Sequence, residues 1–96
     1  MIKHVVCWKL RDENKAENCE KIKNMLEGLV PIISEIESLE VGINENSSDM
    51  AFDLCLISEF KTKEDLDKYQ INENHVKVSK FVRSVIKERI VVDYNM

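Results

Sequence analysis

Glycine and proline are almost missing from this 96-residue chain, which has two of the first and one of the second. No Gly-rich loop is available to cradle a phosphate, and no nucleophile-elbow pattern is present. Basic charge is in deficit, with 14 Lys and Arg against 18 Asp and Glu, a net charge of −4 and a pI near 5.2. That balance argues against nucleic acid or an anionic membrane surface as the main partner. No apolar run approaches the ~20 residues of a membrane span. The opening Met1-Ile2-Lys3-His4 leads straight into a strand rather than a signal-peptide pattern. Cysteine is sparse and odd in number: Cys7, Cys19 and Cys55, with no CxxC spacing. Two of the three fall inside apolar strands, which reads as reduced, buried thiols in a cytoplasmic protein. Neither His4 nor His75 stands at ligand spacing from a cysteine, so no metal site is expected. Linkers, internal repeats and low-complexity tracts are also missing, and residues 1–96 read as one domain.

What the chain does have is strands that are apolar on both faces. In Ile2 to Leu10, the residues Ile2, Val6, Trp8 and Leu10 point one way with His4 among them, while Val5 and Cys7 point the other way between Lys3 and Lys9. In Ala51 to Phe60, the residues Phe52, Leu54, Leu56 and Phe60 share one face, and Ala51, Cys55 and Ile57 the other. An antiparallel sheet with one wet face shows a clean apolar/polar alternation, so this pattern implies cover on both sides. Helices of the chain can cover one side. A second copy of the protein is the expected cover for the other.

Between the strands the periodicity changes. Cys19, Ile22, Leu26, Leu29 and Ile33 recur at three- and four-residue steps and predict a helix, capped by Asp12 or Asn14 and broken near Gly28 and Pro31. Ser38 to Asn44 alternates as a second strand, and Asn44 to Asp49 is a polar hairpin loop. After the third strand, Thr62-Lys63-Glu64-Asp65 has the form of a helix start. A short helix carries Leu66 and Tyr69, Asn72-Glu73-Asn74 interrupts it, and a second piece presents Val78, Phe81, Val82, Val85 and Ile86. Arg89 to Tyr94 is the fourth strand. The order β-α-β-β-α-β predicts an α+β, ferredoxin-like domain with a four-stranded antiparallel sheet and helices on one face.

Several short motifs, in this order, carry a likeness to a known family. They are the opening Ile2-Lys3-His4-Val5-Val6-Cys7-Trp8-Lys9-Leu10-Arg11-Asp12-Glu13, then Leu39-Glu40-Val41-Gly42, Asp53-Leu54 leading to Ser58-Glu59-Phe60, Asp65-Leu66-Asp67-Lys68-Tyr69, His75-Val76, and the closing Val91-Val92-Asp93-Tyr94. Together they make the chain similar to the stress-responsive dimeric α/β barrel (Dabb) family over nearly its whole length. One departure stands out. Where family members commonly carry His-Pro-x-His, this chain has Asn72-Glu73-Asn74-His75, keeping only the second histidine.

The resemblance implies a homodimer whose two sheets close into a barrel, with a cavity between sheet and helices or at the barrel centre. Most members have no established reaction. One plant polyketide cyclase of this fold closes a ring with a tyrosine and a histidine as acid and base. By motif position these correspond to Tyr69 and His75, and His4 to a further pocket histidine. Other dimeric barrels bind haem or oxidise aromatic compounds, by fold analogy alone.

Two readings of function follow. The first is a stress-responsive A/B barrel domain protein acting as a homodimeric small-ligand-binding or structural module, with no cofactor. The second is a cofactor-free, polyketide cyclase-like or lyase enzyme using Tyr69 and His75 as its acid/base pair, since an imidazole titrates near neutral pH. Against this stands a plain structural role, with His75 bridging two helical pieces and Tyr69 packed on the sheet. His4, Trp8, Phe52 and Phe81 are the candidate ligand-binding residues, for a small apolar or aromatic molecule.

Overall fold

The computed structural model describes residues 1–96 as a four-stranded antiparallel sheet with three helices packed on one face. The elements are β1 (Ile2–Leu10), α1 (Lys15–Glu27), β2 (Ser38–Ile43), β3 (Leu54–Phe60), α2 (Lys63–Ile71), α3 (Glu73–Val85) and β4 (Ile86–Asn95). The strand order is β2-β3-β1-β4, the ferredoxin-like arrangement expected from the element order.

The face of β1 and β3 toward the helices is buried at His4, Val6, Trp8, Leu10, Leu54, Leu56, Ser58 and Phe60. Ile22, Leu26, Leu66, Val78 and Val82 close over it from the helices, with Leu29 and Ile33 from the turns after α1. Each fully buried aliphatic or phenyl side chain contributes roughly 1.5–3 kcal/mol by leaving water. The opposite face carries two cross-strand apolar rows, Val92–Val5–Ile57 and Ile90–Cys7–Cys55. Within one chain this face has no cover: Ile90 is 49% exposed and Val92 57%. Lys3–Glu59 (3.8 Å) and Lys9–Glu88 (3.3 Å) mark its ends with ion pairs.

Local chemistry sets the boundaries. The Thr62 hydroxyl accepts the Asp65 N–H at 3.1 Å, capping α2 as its sequence form predicts. Asn72 alone separates α2 from α3: its backbone turns extended (ψ 133°) and its side chain accepts the Asn74 N–H, so Glu73 already belongs to α3. Asn14 takes the N-cap position of α1 with φ 54°, a left-handed conformation asparagine tolerates, but its side chain makes no capping bond. β2 is an edge strand, and α1 protects its outer side. Lys23 Nζ donates to the Val41 carbonyl (2.6 Å), and Glu27 Oε2 accepts the Val41 N–H (3.2 Å). Bonding to Lys23 holds the Glu27 carboxyl below the usual carboxylate range.

Two strand starts differ from the sequence reading, and two strand ends differ by one residue, at Ile43 and Asn95. β3 begins at Leu54, not Ala51, because the Asp53 carboxylate turns back to accept the Leu10 N–H at 2.7 Å and pairs with Lys15. The alternation is broken there, and the Phe52 ring lies beneath the Lys9 ammonium instead of joining Leu54. β4 begins at Ile86, three residues earlier than expected, since Ile86 adopts extended geometry and pairs with Leu10 across a bulge at Lys9/Leu10.

Candidate functional site

A cavity of about 380 Å³ lies between the helix-facing side of the sheet and α3. β1 contributes His4, Val6 and Trp8 at alternate positions, as strand geometry requires of residues sharing one face. α3 contributes His75, Ser79, Val82 and Arg83, spaced at three- and four-residue steps along one helical stripe. Arg89 enters from β4, directly across from Trp8. The size falls in the range of small-molecule sites.

Both histidines have one ring nitrogen anchored. His75 Nδ1 lies 3.1 Å from the Gln70 carbonyl oxygen at the end of α2. A carbonyl can only accept, so Nδ1 carries the proton and Nε2 keeps its lone pair. Burial pushes the His75 imidazole below its ordinary range, with the charges of His4, Arg89 and Arg83 acting in the same direction against the Gln70 hydrogen bond. His75 is therefore neutral near pH 7, the form that accepts a proton. His4 Nδ1 meets the Asp93 carboxylate at 2.5 Å, a contact delivered by the β1–β4 register that sets His4 opposite Asp93. That carboxylate fixes the Nδ1–H form of His4.

Tyr69 is completely buried behind the histidines. Its ring packs on Phe60 (centroids 5.0 Å), on His75 (4.3 Å) and edge-on to His4 (6.3 Å). Its hydroxyl makes no hydrogen bond to any other residue, and burial pushes the phenol pKa well up, so it stays protonated.

The structure thus brings together Tyr69, His75 and His4, and places His4, His75 and Trp8 on the cavity wall. It does not place Tyr69 on that wall. Nor does it place Phe52 or Phe81 there: Phe52 lies outside at the β2–β3 loop, and Phe81 packs under Lys21 of α1. Sequence reasoning missed Asp93, Arg83, Arg89, Gln70 and Ser79. Asp93 and Arg89 carried one usable signal, since they stand four apart and so share a face of β4.

The sequence pattern of the stress responsive A/B barrel domain matches residues 2–96. A stress-response A/B barrel domain-containing protein of Arabidopsis thaliana is 31% identical, over 98% of this chain and 46% of that protein. The chain therefore spans about half the length of the curated relative it matches. A dimeric protein of unknown function with a ferredoxin-like fold from Bacteroides fragilis superposes with a TM-score of 0.91 at 33% identity, covering 99% of this chain and 95% of that one. A hydroxynitrile lyase from Passiflora edulis shares the fold, with a TM-score of 0.85 at 14% identity over 97% of this chain and 90% of the lyase. No helix is long and apolar enough to cross a membrane.

Proposed function

The chain belongs to the stress-responsive A/B barrel domain family, and we propose that residues 1–96 act as one domain, a cytoplasmic homodimer that binds a small carbonyl compound and moves a proton on it. The observation that carries this reading is a single cavity walled by two imidazoles, each anchored through Nδ1 and each with its Nε2 free of protein partners. His75, neutral and desolvated, is the base: its Nε2 takes a proton from the carbon beside the carbonyl, and the C–H electron pair moves into an enolate. The His75 imidazolium then returns a proton to the enolate, and His4, oriented by Asp93, lines the cavity beside the substrate oxygen. Tyr69 positions the His75 ring, a change from the Tyr69–His75 acid/base pair expected from the sequence, because Tyr69 stands behind the wall. No cofactor is needed for this chemistry.

The dimer reading rests on the apolar rows of the open sheet face and on the dimeric state described for the Bacteroides fragilis relative. Three free thiols fit a reducing compartment. Two measurements test the whole. Acetophenone in D2O should lose its methyl proton signal faster with the protein than without it, and His75→Asn, folded by circular dichroism, should remove the acceleration. Equal rates with and without protein would refute proton transfer. Light scattering at micromolar concentration should give a dimer, converted to monomer by Ile57→Glu; a monomeric wild type would refute the assembly.

A further inference from the structure

Eight contacts within 4.0 Å join a basic group to a carboxylate in this chain, and every one is made by a lysine or a histidine. Arg83 and Arg89, the two arginines of the cavity, pair with none, although acidic residues outnumber basic ones 18 to 14. They approach the cavity from different layers. Arg83 comes from the last turn of α3, and Arg89 from β4 beside Trp8. The α3–β4 junction between them is a direct helix-to-strand connection, and its Ile86 also lines the cavity. Arg83 spends Nε and one Nη on the Ser79 hydroxyl (3.4 and 3.2 Å), which steadies the side chain and leaves its other donors free. Asp93, the acid on the same face of β4, stands four residues from Arg89, roughly 13 Å along an extended strand, and is already held by His4. Two guanidiniums without a carboxylate partner, beside a polar and aromatic wall, have the chemistry of an anion clamp.

We infer that Arg83 and Arg89 select an organic anion, holding its carboxylate or phosphoryl group at the α3–β4 end of the cavity while the rest of the molecule extends toward His75 and His4. The inference deepens the proton-transfer reading and uses it only for the ligand's orientation. Selection of the anion stands or falls by itself. A positive wall would also favour the enolate, whose negative charge grows as the proton leaves.

The test compares three probes of one shape: para-acetylbenzoate, para-acetylbenzamide and para-acetylphenyl phosphate, bound to the full chain and followed by ligand-observed NMR and calorimetry. The acid should bind about tenfold or more tighter than the amide, and Arg89→Gln and Arg83→Gln should each erase about tenfold of that preference. Both variants should weaken the amide far less than the acid and leave the melting temperature unchanged, because neither arginine is buried or paired to an acid. The phosphate binding tighter than the benzoate would assign a phosphoryl group; the reverse order would assign a carboxylate. Equal affinity for acid and amide, no measurable binding of either anion, or a preference that survives both substitutions would overturn the inference. Methyl deuteration read in the same samples separates the two ideas. Anion preference without exchange sinks the proton-transfer reading alone, and exchange without anion preference sinks this one alone.

Discussion

Replacing Tyr69 with phenylalanine should make the protein more stable. The Tyr69 side chain is fully buried and its hydroxyl has no partner in the chain. A buried hydroxyl left unpaired costs about 1–3 kcal/mol relative to its hydrated state in the unfolded chain. Phenylalanine keeps the ring contacts with Phe60, His75 and His4 and removes a single oxygen, so little packing is lost. The expected gain is about 1–2 kcal/mol, and for a domain of this size each kcal/mol moves the melting temperature by roughly 4–8 °C. The assay is thermal unfolding at one fixed protein concentration, since self-association makes a melting point depend on concentration. Tyr94→Phe is the control: that phenol is half exposed, and the change should stay within about 0.5 kcal/mol. A loss of about 1 kcal/mol or more in Tyr69→Phe would refute the reasoning, because it would show that the hydroxyl is hydrogen-bonded in solution. The same variant also reports on chemistry. A positioning role predicts that acetophenone exchange is largely retained; complete loss in the folded variant would return Tyr69 to the catalytic pair.

The other predictions concern the His4 contact, the titration of His75 and the edge strand. Asp93→Asn should lower stability by about 1 kcal/mol, a figure discounted because the carboxylate is about one-third exposed. It should also slow exchange chemistry, since His4 loses its charged anchor; an unchanged rate would show His4 is not a partner in the reaction. His75 is held below its ordinary range by burial, so as pH falls through about 6.5 the unfolded chain binds the proton before the folded one does. Stability is therefore lost on going from about pH 7.5 to about pH 5.5, and denaturant titrations should show that loss reduced in His75→Asn. Glu27→Ala removes the acceptor of the Val41 N–H and the partner of Lys23. It should cost about 1 kcal/mol and speed amide hydrogen exchange at Val41, where unchanged protection would show that α1 does not guard the β2 edge.

Much of this architecture was legible in the sequence because the signals are local. The alternation in Ile2 to Leu10 puts His4, Val6, Trp8 and Leu10 on one face whatever the strand packs against, and all four are buried on the helix side. The three- and four-residue steps of Cys19, Ile22 and Leu26 define the buried stripe of α1 in the same way. Thr62 caps α2 through a bond spanning three residues. The family pattern also runs through the chain in linear order, and its motif positions put Tyr69, His75 and His4 at one pocket, where their rings do meet.

Other features were decided between segments far apart in the chain. Phe52 left the expected face because Asp53 bonds the Leu10 backbone, 43 residues away, and bends the start of β3. Asp93 reached His4 across 89 residues only through the β1–β4 register, and shifting that register by one residue would turn Asp93 and Arg89 to the other side of the sheet. Tyr69 and His75 look alike in a motif, yet the break at Asn72 sends the imidazole to the cavity wall and the phenol behind it. The sequence by itself determined the elements, the two-faced strands and the family, since periodicity and capping act within a few residues. The tertiary structure alone decided which charged groups meet and which stay unpaired, because strand register and side-chain direction are set by pairing that no local pattern encodes.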